Sequence, residues 1–266
     1  MRRIQLFEFT DFAWYPHIFR RMQTDYLQFA ASMGAGHQNL MPLLIKAMQH
    51  ARTTEIVDLC SGGSGPWVRL QDQFKQVGSN VTIKLTDKYP LPEAVQKWSQ
   101  AARDGIEYLA EPVDALHVPD YLPGMRTLFE GFHHFQPAQA RAILRDACEH
   151  KAAIGIFEAT LKPALAPFLL LLAPFMTLLG YLFATPFIKP RSLARFFWTY
   201  CIPIVPLATC WDGVVSLLRV YSPQELQALT AQIPTDHYIW EIGQASTGTP
   251  LFVFTYLIGY PAQTMN

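Results

Sequence analysis

The chain has 266 residues, half of them apolar, and its 21 basic side chains balance its 21 acidic ones. This length and composition suffice to bury a large core, which excludes a disordered or fibrous chain. Because the net charge is zero, nothing draws the whole chain to polyanions, and we expect no nucleic-acid partner. Charged residues make up 16% of the chain, against about 25% in ordinary soluble domains, so part of the chain avoids charge.

The amino-terminal segment and the cysteines indicate a protein that stays in the cytoplasm. Glu8 and Asp11 interrupt any apolar run after the first two arginines, so we expect no signal peptide. The sequence holds four scattered cysteines, Cys60, Cys148, Cys201 and Cys210. Their spacing matches no metal-ligand motif and no secreted disulfide framework. We therefore expect reduced thiols and no metal site.

The predicted elements run from helices into an alternating pattern of strands and helices. Aromatic-rich helical patterns fill residues 11–50, so residues 1–50 are expected to form an N-terminal helical lid. The cofactor-binding core at 51–160 has predicted strands at 55–59, 81–86, 106–111, 126–130 and 153–158, with helices at 67–77, 92–103 and 137–148. An apolar insert follows at 161–215. The alternation predicts a three-layer, Rossmann-like α/β sheet.

The last part, residues 216–266, is predicted to close the sheet. Ser222 and Glu225 have the spacing of a capping box, with Pro223 in the first helical turn, and start a helix that ends near residue 232. Strands at 237–242 and 251–257 are separated by a turn-rich segment, which predicts an antiparallel hairpin. The whole chain is thus expected to be a single domain.

A glycine-rich turn follows the first predicted strand and reads Asp58-Leu59-Cys60-Ser61-Gly62-Gly63-Ser64-Gly65. Small residues there let the backbone approach a ligand at the start of a helix. A nicotinamide site needs G-x-G-x-x-G and no acid beside the pyrophosphate, which disfavours a reductase. A cationic or zwitterionic ligand suits Asp58 better. Taken singly, such a turn is also an ordinary tight connection between a strand and a helix.

Two more acids stand at the ends of the next two strands. Asp87 ends the second strand, where a carboxylate accepts hydrogen bonds from two ribose hydroxyls. Asp114 follows the third strand and is placed to accept from an exocyclic amine, with a solvated turn as the alternative. An isolated acid at a strand end is also a common helix cap. Because the three acids follow three consecutive strands, we expect them to lie along one edge of the sheet.

These motifs, in this order, resemble the class I S-adenosylmethionine-dependent methyltransferases over residues 55–158 and the terminal hairpin. The resemblance implies S-adenosyl-L-methionine as cofactor, with its methionine moiety at the glycine turn, its ribose at the second acid and its adenine amine at the third. The implied cofactor-binding residues are Asp58, Cys60, Ser61, Gly62, Gly63, Gly65, Asp87, Lys88, Asp114 and Ala115. The chain departs from the commonest family motif at Cys60, where that motif has glycine, so the turn must admit a small side chain.

The segment after the fourth predicted strand carries the candidate catalytic residues. In methyl transfer the enzyme positions a nucleophile against the methyl group and removes its proton. His133 and His134 are candidate bases because histidine titrates near neutrality. The alternative is that they bond backbone or cap the turn. Glu158, at the end of the fifth strand, is expected to bind substrate or orient a histidine, or else to make a structural bond to a loop.

The low charge content is concentrated in the insert. The 26 residues from Pro163 to Ile188 and the 16 from Phe196 to Trp211 carry no charge. The first stretch is long enough to cross a bilayer. A single crossing would, however, place the fifth strand and the closing hairpin, which share one sheet, on opposite sides of the membrane.

We therefore expect a helical hairpin that dips into one leaflet or lies in its interface. Pro167, Pro174 and Pro186 are expected to break the first stretch. The predicted interfacial anchors are the basic and aromatic residues Lys162, Lys189, Arg191, Arg195, Tyr181, Trp198, Tyr200 and Trp211. The alternative is a buried helical pair that covers the active site or forms a dimer interface.

The sequence as a whole predicts an S-adenosylmethionine-dependent methyltransferase that acts on a hydrophobic small molecule or lipid at the cytoplasmic face of a membrane. The alternative is a non-catalytic sensor or scaffold that binds a nucleoside cofactor and is held at a membrane or partner by the insert. The sequence identifies neither the acceptor atom nor the oligomeric state.

Overall fold

The computed structural model describes residues 3–33, 36–101, 105–234 and 237–262, which form a seven-stranded sheet covered by helices on both faces. The strands are β1 (Glu55–Asp58), β2 (Thr82–Leu85), β3 (Ile106–Tyr108), β4 (Met125–Phe129), β5 (Ile154–Leu161), β6 (Tyr238–Ser246) and β7 (Phe252–Pro261). The helices are α1 (His17–Met33), α2 (Met41–His50), α3 (Trp67–Gln76), α4 (Pro92–Ala101), α5 (Pro137–Glu149), α6 (Ala166–Ala184), α7 (Leu193–Phe196), α8 (Ile204–Arg219) and α9 (Pro223–Thr230). The predicted continuation of α4 to residue 103 lies outside the described residues.

The strand order is β3-β2-β1-β4-β5-β7-β6, with β1 to β5 parallel. The hairpin of β6 and β7 joins this sheet, because β7 pairs antiparallel with β5 along the whole length of β5. This arrangement confirms the predicted Rossmann-like sheet with a closing hairpin. It also places the carboxyl ends of the parallel strands, and the acids that follow them, at one edge.

Alternating side chains divide the core between the two faces of the sheet. Ile56 of β1 packs with α2, α3 and α4, whereas its neighbour Val57 packs with α5 and α9 on the opposite face. This period of two is the geometry of an extended strand, and it is what makes three layers from one sheet. The predicted capping box at α9 is confirmed, since Ser222 Oγ accepts the Glu225 N–H at 3.3 Å.

The two N-terminal helices have different neighbours. Helix α2 belongs to a core layer and buries Leu44 and Ala47 against the sheet. Helix α1 lies outside that layer, where Met22 packs with Tyr181 of α6 and Val205 of α8. The described residues of α1 therefore connect the sheet to the insert.

The insert folds as α6, then α7 continued by a π-helical turn at Phe197–Cys201, then α8. The expectation that prolines break the first stretch is wrong, because α6 runs unbroken through Pro174. Pro167 lies in the first turn, where no intrahelical N–H bond is lost, and Pro186 follows the helix end. Packing against α8 holds the middle of the helix, where the Cys210 thiol donates to the Pro174 carbonyl at 3.1 Å.

Helix α6 is, within the described residues, the one helix long and apolar enough to cross a membrane. Only 6% of its most apolar 18-residue window is buried. Helix α7 with its π-helical turn meets α8 at an angle of 76°. The exposed face of α6 presents large apolar side chains: Phe168, Leu171, Phe175, Met176, Leu179 and Phe183.

Two of the predicted interfacial anchors lie inside the protein, so those assignments are wrong. Arg195 is buried and forms an ion pair with Asp25 of α1, and its guanidinium also donates to the Pro190 carbonyl at 2.8 Å. Tyr181 is buried between α6 and α1. A basic residue in an apolar segment can satisfy its charge within the fold as well as at a membrane surface, and the sequence does not distinguish the two. Lys189 and Arg191 are exposed.

Candidate functional site

The glycine-rich turn between β1 and α3 has a backbone that glycine adopts most easily. Cys60, Gly62, Ser64 and Gly65 have φ angles of 59°, 52°, 124° and 51°. A left-handed conformation costs a residue with a side chain about 1–2 kcal/mol, so the surrounding structure must hold Cys60 and Ser64 in place. Cys60 keeps a glycine-like conformation, and the turn admits its small side chain.

Asp58 organises this turn from inside. The residue is 1% exposed, and its carboxylate accepts hydrogen bonds from the hydroxyls of Ser61 at 2.6 Å and Thr127 at 2.7 Å. Burial raises the pKa of Asp58 to about 7, although these hydrogen bonds act in the opposite direction. The carboxylate thus faces the turn and β4, and we expect it to affect a ligand through the shape of the turn.

Replacing Asp58 by asparagine is expected to weaken the dependence of stability on pH. In the unfolded chain the carboxyl loses its proton near pH 3.8, and in the folded protein near pH 7. The folded state holds the extra proton between these values, so this group makes the free energy of unfolding fall as pH rises through that window. Urea midpoints measured inside and above the window test this, with Asp120→Asn, whose side chain is 91% exposed, as the control. Equal slopes in wild type and Asp58→Asn would contradict the assignment.

Asp87 joins the end of β2 to the glycine turn. Its carboxylate accepts the backbone N–H of Gly62 at 2.9 Å and that of Tyr89 at 2.8 Å. The Tyr108 hydroxyl of β3 donates to the Gly62 carbonyl at 2.9 Å, and the Ser61 N–H donates to the Thr86 carbonyl at the same distance. The predicted ribose-binding acid and the predicted methionine-binding turn therefore lie side by side.

Asp114 is tied to the same edge through Lys88. Its carboxylate accepts from Lys88 Nζ at 2.7 Å and from the Leu116 N–H at 3.0 Å. Burial alone would raise the pKa of Asp114, but the hydrogen bond and charge of Lys88 and the Leu116 N–H together lower it below its usual value. Ala115, the next residue, is buried in the core layer that contains α5. Of the two, Asp114 is the one that presents a polar group to the edge.

Cys60 lies where these groups converge with the end of β4. Burial first, and then the surrounding carboxylates of Asp87, Asp114 and Glu158, raise the pKa of its thiol well above the usual value. Gly131, just after β4, lies so close that a Cβ built on it would be 3.1 Å from the Cys60 Cβ. The cofactor candidates and the catalytic candidates therefore occupy one continuous edge of the sheet.

Helix α1 covers the glycine turn. Gln28 Nε2 donates to the Gly63 carbonyl at 2.9 Å and to Ser64 Oγ at 2.8 Å. Beside this contact lies an open cleft of about 990 Å³, bounded by α1, Gly63, α4 and the basic turn that carries Lys189 and Arg191. Helix α1 is thus a part of the predicted lid that contacts the glycine turn.

The predicted catalytic residues His133, His134 and Glu158 lie in a group of charged and polar side chains that we call the histidine cluster. Its other members are Glu8, Asp11 and Arg219. His133 Nδ1 lies 2.6 Å from Glu158 Oε2, and Glu158 Oε1 accepts the backbone N–H groups of Phe132 at 2.6 Å and His133 at 3.1 Å. His134 Nδ1 lies 2.8 Å from Asp11 Oδ1. The structure therefore brings the three predicted residues together, with Glu158 fixing the orientation of His133.

The two imidazoles differ in exposure and in charge environment. His133 is buried, whereas the side chain of His134 is 34% exposed. Burial alone would lower the pKa of His133, but the charge and the hydrogen bond of Glu158 outweigh burial and raise it to about 9. His134 is the imidazole that an incoming molecule reaches first.

The sequence did not single out Glu8 and Asp11, the two acids of the histidine cluster. Glu8 and Asp11 precede His133 by more than 120 residues, and the only sequence signal in them was the interruption of an apolar run. Arg219, at the end of α8, pairs with Glu8 at 3.1 Å and with Asp11 at 2.7 Å. Arg3 donates to the carbonyls of His133 and Phe135. These contacts depend on tertiary packing of segments that show no shared motif.

Comparison with known proteins finds similarity in three dimensions only. No family model matches the chain, and no curated relative matches it by sequence. The structure of PigF with SAH superposes with a TM-score of 0.51 at 14% identity, covering 96% of this chain and 63% of that one. Human N-acetylserotonin methyltransferase in complex with SAM gives 0.47 at 12% identity, covering 92% and 58%, and the pyocyanin biosynthetic protein PhzM gives 0.47 at 15%, covering 87% and 55%.

The chain spans little more than half to two thirds of the length of these proteins. At such low identity the match concerns architecture alone. It agrees with the strand order, with the glycine turn after β1 and with the antiparallel hairpin that closes the sheet. This chain has the fold of the class I S-adenosylmethionine-dependent methyltransferases.

Proposed function

We propose that the protein is an S-adenosylmethionine-dependent methyltransferase whose acceptor is a hydrophobic small molecule or lipid, and that it works at the cytoplasmic face of a membrane. The observation that carries the proposal is the arrangement at one sheet edge. Asp87 is hydrogen-bonded to the glycine turn at Gly62, Asp114 follows β3, and Glu158 with its histidine closes the row at β5.

The residues present fit this cofactor. The glycine turn already has the left-handed backbone that brings main-chain groups close to a ligand, and only small side chains stand on it. Asp87 is half-buried, and among the described residues its carboxylate accepts the main-chain N–H groups of Gly62 and Tyr89, so its oxygens suit ribose hydroxyls. When bound, S-adenosylmethionine supplies a methyl group on a sulfonium. The charged groups at this edge are mainly carboxylates, which suit a cationic ligand and not a pyrophosphate.

The histidine cluster is proposed as the acceptor side. His134 has the exposure to meet an acceptor, and we assign it the removal of the acceptor's proton. His133 and Glu158 form the buried pair beside it, and Glu158 holds the turn after β4 by its two backbone bonds. A positioned base of this kind contributes about 10²–10⁴-fold to rate.

The exposed face of α6 supports a lipophilic acceptor and a membrane surface. A contiguous row of large exposed apolar side chains is unusual on a monomeric soluble protein. Helix α8 is not available to return across a bilayer, because it buries Val205 and Val215 and places Asp212 and Arg219 in the protein interior. A helix that lies in the interface, with Lys189 and Arg191 near its end, fits these contacts better than a spanning hairpin.

Removing the apolar face is expected to release the protein from vesicles. Each of Leu171, Phe175 and Phe183 contributes up to about 1.5–3 kcal/mol when buried, so the triple change to glutamine is expected to reduce partitioning by about 100-fold or more. Flotation with vesicles that contain anionic lipid measures this. The matched control changes three exposed apolar residues away from α6, Val68, Val77 and Tyr121, to glutamine. Equal flotation of both triple variants would end the membrane assignment.

The function itself is tested by incubating the full-length protein with a membrane lipid extract and S-adenosylmethionine labelled in the methyl group. We expect label in the organic phase. Binding of S-adenosylhomocysteine without any label in lipid or small-molecule fractions would favour the alternative of a non-catalytic sensor. Absence of binding by folded protein would reject both.

A further inference from the structure

Three side chains of the histidine cluster point ligand atoms at one another. Glu8, His133 and His134 each offer one such atom, and all three atoms lie within 4.8 Å of one another. His133 Nε2 is 3.6 Å from Glu8 Oε1, and His134 Nε2 is 3.7 Å from Glu8 Oε2. Glu8 comes from the segment before α1, so the three groups join the N-terminal segment to the end of β4.

The other nitrogen of each imidazole is already bound to a carboxylate. His133 Nδ1 meets Glu158 and His134 Nδ1 meets Asp11, at 2.6 and 2.8 Å. Metal-binding histidines almost always have such a partner, which fixes the ring orientation and leaves the opposite nitrogen free for the ion. Here both rings have it, and Nε2 of each ring faces the Glu8 carboxylate, where an ion would displace any proton that the nitrogen carries.

The distances are close to those of a coordination sphere. With metal–ligand bonds of about 2.1 Å, neighbouring ligand atoms lie about 3.0–3.4 Å apart in octahedral or tetrahedral geometry. The two Nε2-to-carboxylate separations, which end on different oxygens of Glu8, exceed this range by a few tenths of an ångström, and the three ligand atoms as a set lie within 4.8 Å of one another. The three side chains must therefore move closer together to close the site around an ion.

The charge of the cluster also favours a cation. Glu8, Asp11 and Glu158 bring three carboxylates together, and in the described part of the chain Arg219 pairs with two of them and the His133 imidazole with the third, so an ion that displaces the His133 proton meets three carboxylates and one guanidinium. Arg219 bonds Glu8 through Oε1, which leaves Oε2 on the side of His134. Glu8 and His133 are buried, so water solvates their polar atoms poorly.

We propose that Glu8, His133 and His134 bind a divalent transition-metal ion. Two imidazoles and one carboxylate suit Zn²⁺, Fe²⁺, Co²⁺ or Mn²⁺ and not Mg²⁺ or Ca²⁺, which prefer oxygen ligands. The ion ties the N-terminal segment to the sheet edge. In the metal-bound form Nε2 of His134 is a ligand and accepts no proton, so methyl transfer with this imidazole as base belongs to the metal-free form. The site itself does not depend on the proposed function.

Calorimetric titration with Zn²⁺ tests the site in chelator-treated, full-length protein. We expect one ion per chain, with affinity reduced by about tenfold or more in both His134→Ala and Glu8→Gln. His134 is partly exposed and Glu8→Gln preserves shape, so folding of each variant can be confirmed by circular dichroism. The matched control is His150→Ala, because His150 is a surface histidine that also lies beside two carboxylates, Asp120 and Asp146.

Two further readouts do not depend on heat of binding. Saturating Zn²⁺ is expected to raise the Tm of wild type by about 5–10 °C and to leave that of the two variants unchanged. Bound Co²⁺ is expected to give a visible absorption band that Glu8→Gln alters and His150→Ala does not. No stoichiometric binding by folded wild type, equal affinity in wild type and both site variants, or loss of binding only in His150→Ala would each overturn the proposal.

Discussion

Replacing Asp87 by alanine is expected to weaken the binding of S-adenosylhomocysteine by about 100-fold. A carboxylate that accepts from two ribose hydroxyls makes two charge-assisted hydrogen bonds of about 1.5–3 kcal/mol each, and about 1.4 kcal/mol corresponds to a tenfold change in affinity. Isothermal titration of purified protein measures the change. The same substitution removes the acceptor for the Gly62 N–H, so the Tm of the variant should be recorded as well.

The control for this prediction is an acid that is not at the sheet edge. Asp120→Ala removes a carboxylate whose side chain is 91% exposed and is expected to leave affinity unchanged. Asp114→Ala is expected to have a smaller effect than Asp87→Ala, because Asp114 is already paired with Lys88 and that bond must be exchanged for a bond to the ligand. Unchanged affinity in a folded Asp87→Ala variant would remove the ribose assignment and, with it, the cofactor proposed for this edge of the sheet.

Replacing His134 by alanine is expected to lower kcat by about 10²–10⁴-fold while cofactor affinity stays within the error of the wild-type value. The reason is that His134 lies beyond the glycine turn, bonded to Asp11 and not to a predicted cofactor residue. Methyl transfer to the acceptor found in the lipid-extract experiment gives kcat, and titration with S-adenosylhomocysteine gives the affinity. His150→Ala again serves as the control histidine.

His133→Ala is expected to lower both kcat and stability. Its ring is buried against Glu158, so the substitution removes the imidazole partner of a buried carboxylate and leaves a cavity. The pair of variants therefore separates the two roles, with the effect of His134 confined to turnover and that of His133 shared with folding. Unchanged turnover in both variants would reject the assignment of the acceptor side to this cluster.

The glycine turn and its neighbouring acids were readable from the sequence because the order of strands fixes where their ends lie. A parallel sheet brings the carboxyl ends of consecutive strands to one edge, so Asp58, Asp87 and Asp114 had to come near one another. What the pattern did not reveal is how they differ. Asp58 points inward to Ser61 and Thr127, whereas Asp87 and Asp114 stay half-buried at the edge.

In the insert, the sequence predicted much less of the structure. Its apolar composition was plain, but the orientation of its residues depends on what packs beside them. Arg195 and Tyr181 had the character of interfacial anchors and are buried against α1. Pro174 had the character of a helix breaker and lies inside a continuous helix that α8 supports. Local propensity is a weak predictor where tertiary packing supports the helix.

The sequence by itself determined the sheet, the closing hairpin and the row of acids at its edge, because these follow from local periodicity and from the fixed direction of parallel strands. Tertiary structure alone decided which remote residues surround the two predicted histidines. Glu8 and Asp11 meet His133 and His134 only because the N-terminal segment lies against α8 and the turn after β4, where Arg219 and Arg3 hold it. No motif spans that distance along the chain, and contacts between remote segments arise from packing that sequence periodicity does not encode.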